Sequence, residues 1–324
     1  MFDLANPIYQ NADAAREHLE SIQWPHGPSC PHCGNVDQAR ITKLAGKSTR
    51  PGVYKCKECR KPFSVTVGTV FERSHIPLHK WVAATHLMAA SKKGISAHQM
   101  HRMLGVTYKT AWFMEHRIRE AMKADVKSEG PLGGEGKTVE ADETYFGKTD
   151  EQPKARADGQ PYKYKSGRKP GPAGKRAVFA LVERGGKVRS FHVEKATKEA
   201  IRDALVRNAS RKSTLYTDES RLYTLTGKEF AHHDTVNHSG KEYVRGVVHS
   251  NTIENVFSVF KRGMKGTYQH CGEAHLHRYL AEFDFRYNRR SAVGVEDNER
   301  HEMLLAAIRG KRLTYRRIGE ASLA

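Results

Sequence analysis

The spacing of apolar positions changes character twice along this chain. Residues 14–22 have the period of an amphipathic helix that ends near Trp24 and Pro25, and short β-rich runs follow at residues 53–55 and 62–65. From residue 78 the helical period returns in three pieces. Residues 78–90 offer Trp81, Val82, Thr85, Leu87 and Met88 for burial. Residues 96–104 open on Ser96 and Gln99 at capping-box spacing, and residues 108–122 follow the tight turn Gly105-Val106-Thr107. Helix, glycine-containing turn and helix outline a helix-turn-helix, although any three-helix bundle has similar apolar spacing.

Residues 125–137 are rich in glycine and charge and read as a linker, beyond which the period becomes that of strands. Residues 138–146 alternate, with Val139, Ala141 and Tyr145 on one face and Glu140, Asp142 and Thr144 on the other. Residues 147–175 are dense in Lys, Arg, Gly and Pro and predict a loop with no core of its own. Strands at 176–183 and 187–193 joined through Arg184-Gly185-Gly186, a helix at 197–207, and strands at 213–217 and 231–238 make an α/β pattern. A helix at 249–263 follows, with Val256, Phe257, Val259 and Phe260 on its buried side, Asn251 as N-cap and Gly263 as stop. Glu254 and Lys261, about two turns apart, leave one face of it roughly 10 Å from each other along the axis. Asn-x-x-Glu is also capping-box spacing, so Glu254 reads either as a cap or as a functional carboxylate.

Charge narrows the partner. Lys and Arg number 55 against 36 Asp and Glu, a net +19, which favours polyanions and above all nucleic acid. No apolar run approaches the roughly 20 residues of a membrane span, and the first ten residues lack the pattern of a signal peptide. The expectation is a cytoplasmic, nucleoid-associated DNA-binding protein with no membrane partner. In such a chain the third helix of the helix-turn-helix would present Tyr108, Lys109 and Thr110 to base edges, with Trp112, Arg117 and Arg119 further along. The insertion reads either as a basic flap, with Arg168 and Lys169 in a minor-groove segment, or as a stretch with no specific role.

Two chemistries stand out. Cys30-Pro-His-Cys33 and Cys56-Lys-Glu-Cys59 are paired knuckles suited to one structural Zn²⁺, four thiolates leaving no open coordination position; Cys271 reads as an ordinary small side chain. Asp142, Asp218 and Glu254, from two strands and a helix, suit two Mg²⁺ or Mn²⁺ ions acting on a phosphodiester. Asp142 would bridge the ions, Asp218 and Glu254 would each complete one site, and Lys261 would hold a phosphate with Arg262 beside it on the DNA. Glu140 shares the face of Asp142, Glu143 and Glu219 should point elsewhere, and His249 reads as structural or as a hydrogen-bonding neighbour.

CPHC, CKEC, VEADETYFGK, LYTDES, HSNTIENVFSVFKRG, GTYQH and HLHRYLAEFDFRYNRR together resemble the DDE transposases of bacterial insertion sequences, in the group with an amino-terminal zinc ribbon and an ISXO-like transposase domain. The resemblance implies an RNase H-like catalytic domain with Asp142, Asp218 and Glu254 as its acidic triad and Lys261 as its helical lysine. It also implies metal-dependent cutting at the 3′ ends of the element and joining of the freed 3′-hydroxyls to target DNA, without a covalent protein intermediate. Members vary at the third acidic position, and the glutamate here keeps this copy looking competent. The expected organisation is a zinc ribbon with a short helix (1–75), a helix-turn-helix (76–128), the catalytic domain with its basic insertion (129–295) and a basic tail that adds a helix on DNA (296–324). A dimer is expected because two element ends must be held. The competing functions are a catalytically silent regulator and a nuclease without strand transfer; a tyrosine recombinase, suggested by FRYNRR, explains less of the chain.

Overall fold

Asn11, Ser96 and Thr107 each stand just ahead of an apolar-periodic run, and each side chain folds back onto the amides of the helix it precedes. The computed structural model describes residues 3, 5–124, 129–149, 174–236, 244–245 and 248–314, and the chain divides into two units, residues 1–123 with 289–324 and residues 124–288. The basic insertion beyond residue 149, with Arg168 and Lys169, lies outside the described residues. None of the described helices is long and apolar enough to cross a membrane.

The first unit opens with α1 (Ala12–Gln23) and a ribbon of β1 (Ile41–Lys43), β2 (Tyr54–Cys56) and β3 (Pro62–Phe63), paired antiparallel in that order. Trp24 packs edge-on against Tyr54 and Phe63, a small core beside the cysteines. Three helices follow, α2 (Leu78–Ala90), α3 (Ala97–Leu104) and α4 (Tyr108–Met122). Gly105 closes α3 in the left-handed conformation that a glycine adopts without steric cost.

The second unit is a five-stranded sheet of β4 (Thr138–Phe146), β5 (Arg176–Glu183), β6 (Val188–Val193), β7 (Thr214–Asp218) and β8 (His232–Val236), in the order β6-β5-β4-β7-β8. The first three strands are antiparallel neighbours, while β7 runs parallel to both β4 and β8. The crossover α5 (Lys198–Asn208) joins Val139, Ala141, Phe179 and Leu181 in the core on one face. A short pair, β9 (Val244–Arg245) and β10 (Val248–His249), leads into α6 (Asn251–Gly263), which with α7 (Leu276–Asn288) covers Val178, Ala180 and Val182 on the other face. The stretch read as a linker contributes to this fold: Leu132 is buried and pairs with Ala209.

Three local expectations need correction. Ser250, not Asn251, occupies the N-cap of α6, so Glu254 falls one place beyond capping-box spacing and accepts from the Ser250 hydroxyl at 3.3 Å. Gly263 does not stop the helix, because its backbone stays right-handed and the chain continues as a π turn, Met264–Tyr268, ended by Gln269 at φ 60°. Burial of Met264 favours that continuation. The chain past α7 is not simply a basic tail: α8 (Asp297–Ala306) buries His301, Leu304 and Leu305, packs on α2, and exposes Asp297, Glu299 and Glu302.

Candidate active site

The parallel ladder between β4 and β7 pairs Val139 with Leu215 and Glu140 with Tyr216. Two residues further along both strands stand Asp142 and Asp218, at matching heights just past the end of the ladder. Strand pleating puts Asp142 on the face covered by α6. The first turn of α6 carries Glu254, and Asp142 and Glu254 line one cleft of about 750 Å³ together with Glu143, Lys261, Arg262 and Lys265. Burial, then the charges of Glu143, Asp218 and Glu254, push the Asp142 carboxyl up to about 8, against the pull of the Glu143 amide at 2.7 Å. Three elements remote in sequence thus deliver carboxylates that feel one another's charge. Such a set of hard oxygen donors fits divalent cations of the Mg²⁺ type. Their oxygens do not all lie within 4.8 Å of one another, a closeness reached among the described residues by the cysteine set alone. Carboxylates that serve two ions about 3.5 to 4 Å apart need no such closeness.

The neighbouring groups sort themselves by strand face. Glu143 accepts from the buried Tyr223 hydroxyl on the side away from α6, as alternation requires, yet it reaches the rim of the cleft and is the charge that most perturbs Asp142. Glu140 is fully buried and accepts from Arg184 Nε at 2.6 Å, Thr252 Oγ1 at 2.9 Å and the Ile253 amide at 3.0 Å. His249 Nδ1 lies 3.5 Å from Glu140, and Glu219 is exposed in a separate pocket. Sequence reasoning missed Lys265. It sits four residues after Lys261, and that spacing would have revealed it had Gly263 not been read as the end of the helix.

At the start of α4, Tyr108 and Lys109 are exposed, Tyr108 stacks on His98 at 4.3 Å, and Thr110 is engaged with Thr107 in the helix cap. Arg117 is elsewhere than expected. It is buried, donates to the Glu72 carbonyl at 2.6 Å and lies over the Trp81 ring, so it has no surface for DNA. Arg119 is fully buried beside Glu115. Arg262 is exposed and donates to Ser258 Oγ at 2.9 Å.

In the ribbon the sulfurs of Cys30, Cys33, Cys56 and Cys59 all lie within 4.8 Å of one another. The Cys30–Cys59 and Cys33–Cys56 separations are 3.6 and 3.7 Å. A tetrahedron with Zn–S bonds of about 2.3 Å requires sulfurs about 3.8 Å apart, so the four thiols fit one Zn²⁺. The backbone of Cys59 and the Asn35 side-chain amide draw the Cys56 thiol down to about 6, toward the thiolate that binds metal. Cys271, buried, stands apart in the second unit.

Residues 131–288 match the family described as the ISXO2-like transposase domain, and residues 10–62 match the transposase zinc-ribbon domain. A Halobacterium salinarum protein, described as an uncharacterized protein in transposable element ISH50, is 31% identical over 276 residues, which is 83% of this chain and 88% of that protein. Two solved structures, the Mos1 strand transfer complex and a pre-cleavage Mos1 transpososome, align at 12% identity with TM-scores of 0.21 and 0.26. They cover 61% and 92% of this chain and 72% and 90% of theirs, overlaps too loose to bear on the fold.

Proposed function

We propose that this chain, which belongs to the ISXO2-like transposases with an amino-terminal zinc ribbon, binds insertion-sequence ends, hydrolyses the phosphodiester at each 3′ end and joins the freed 3′-hydroxyls to target DNA. One observation carries the reading: β4, β7 and α6 bring Asp142, Asp218 and Glu254 to a single region edged by Lys261, Arg262 and Lys265. A sheet ordered β6-β5-β4-β7-β8, with an acid at the end of each of the two central parallel strands, supports an RNase H-like catalytic domain.

When bound, two Mg²⁺ or Mn²⁺ ions supply charge neutralisation at the phosphate and an activated attacking oxygen. Asp142, the most enclosed of the three acids, would contact both ions, and Asp218 and Glu254 one each. Lys261, on the same helix face as Glu254, would hold a phosphate at the end being cut, with Arg262 and Lys265 on the flanking backbone. Recognition falls to the zinc ribbon and to α3 and α4, read as a helix-turn-helix that offers Tyr108 and Lys109 to base edges. Two ends imply at least a dimer on DNA, and the setting is the bacterial nucleoid in the cytoplasm.

The test incubates the purified chain with labelled element-end DNA, target DNA and Mg²⁺, and resolves nicked from joined strands. Both products are expected, and Asp142→Asn, Asp218→Asn and Glu254→Gln should each lower both by at least about 10³-fold while end binding persists. Nicks without joined strands would indicate a nuclease. Binding with neither product would indicate a silent regulator.

A further inference from the structure

The three acids stand on an organised tier of side chains. Glu140 lies two residues before Asp142 on β4, Tyr216 lies two residues before Asp218 on β7, and Thr252 and Ile253 immediately precede Glu254 on α6. Arg184 ties these three points together. It donates to Glu140 at 2.6 Å, lies over the Tyr216 ring at 4.8 Å and donates to the His249 carbonyl at 2.8 Å, just ahead of α6. Glu140 in turn accepts from the Thr252 hydroxyl and the Ile253 amide. A fully buried carboxylate is costly unless every lone pair is used, and here the available donors belong to the elements that carry the other two acids.

We propose that Glu140, paired with Arg184, is a positioning residue that sets the distance of Glu254 on α6 from Asp142 and Asp218 on the sheet. The inference rests on the metal-dependent reaction described above. Glu140 holds no ion itself, since its oxygens are occupied by Arg184 and the start of α6.

The test measures nicking of end DNA against Mn²⁺ concentration for the unaltered full chain, Glu140→Ala and Thr252→Val, with melting temperature and end binding recorded for each. Glu140→Ala should raise the Mn²⁺ needed for half-maximal nicking by about 10- to 100-fold, the range for groups that orient metal ligands. Thr252→Val removes a single hydrogen bond and strands no charge, so it should fold normally and raise the requirement about threefold to tenfold. In both, excess Mn²⁺ should restore much of the rate, which it should not do for Glu254→Gln. Unshifted Mn²⁺ curves in both variants, or a shift only in Glu140→Ala accompanied by a fall in melting temperature, would overturn the inference while leaving the reaction intact. Absence of Mn²⁺-dependent nicking by the unaltered chain would overturn the reaction and this inference with it.

Discussion

Asp142 shows what the site costs the fold. Its carboxyl titrates near 3.8 in an unfolded chain and near 8 in the folded, ion-free protein, so the folded state holds the proton more tightly. The resulting stability is full below pH 4 and is lost as the pH rises toward 8. Asp142→Asn should therefore raise the melting temperature of metal-free protein at pH 8 by about 4 °C or more, on the order of 2 kcal/mol, while it abolishes nicking. The gain should shrink at pH 5 and in the presence of Mn²⁺; an unchanged or lower melting temperature at pH 8 would show that Asp142 is not under this strain. At the same scale, Asp142 could be picked out from sequence because an acid in a strand is conspicuous, and its height opposite Asp218 follows from parallel pairing. Arg117 could not. An arginine on a helix reads as surface, whereas its guanidinium here finds a carbonyl and an aromatic face inside the first unit.

Among the elements, α6 carries most of the chemistry and is held at both ends. Glu140 grips its start, and beyond its π turn Tyr268 donates to Glu282 of α7, which is also paired with Arg286. A π turn next to a reactive cleft is a common functional device, and here it brings Lys265 to the rim. Tyr268→Phe should lower stability by about 1–2 kcal/mol, read from urea denaturation, because a buried acceptor loses its donor. In the first unit, burial, then the charges of His86 and His18, depress His301 to about 3, and it meets Thr85 Oγ1 at 2.9 Å. Its contribution is present above pH 6.5 and lost as the pH falls toward 3. His301→Gln should remove about 2 kcal/mol of the loss in stability between pH 6.5 and 4.5, measured by denaturation at each pH. Helices and strands with strong periodicity were readable, including α2 and β5 to the residue. Terminations were not: whether Gly263 ends a helix depends on what Met264 packs against, and α8 looked like a tail because its few apolar residues make sense only opposite α2.

For the whole molecule, a charge of +19, a thiol set dimensioned for Zn²⁺ and a basic-edged acidic cleft suit one task, holding a DNA end for cutting. Fold class and zinc knuckles could be read from spacing, since each depends on residues near in sequence. The Glu140–Arg184 tier could not, because it joins groups from four separate segments. Cys56→Ser should abolish stoichiometric zinc, measured by metal analysis, and weaken end binding at least tenfold; retained sequence-specific binding would separate the ribbon from recognition. The most direct test of the central claim is anomalous diffraction from crystals of the full chain grown with Mn²⁺. The account predicts two peaks about 3.5 to 4 Å apart, with Asp142 oxygens on both and Asp218 and Glu254 on one each. Mn²⁺ bound elsewhere, with no peak within coordination distance of these three carboxylates, would contradict it.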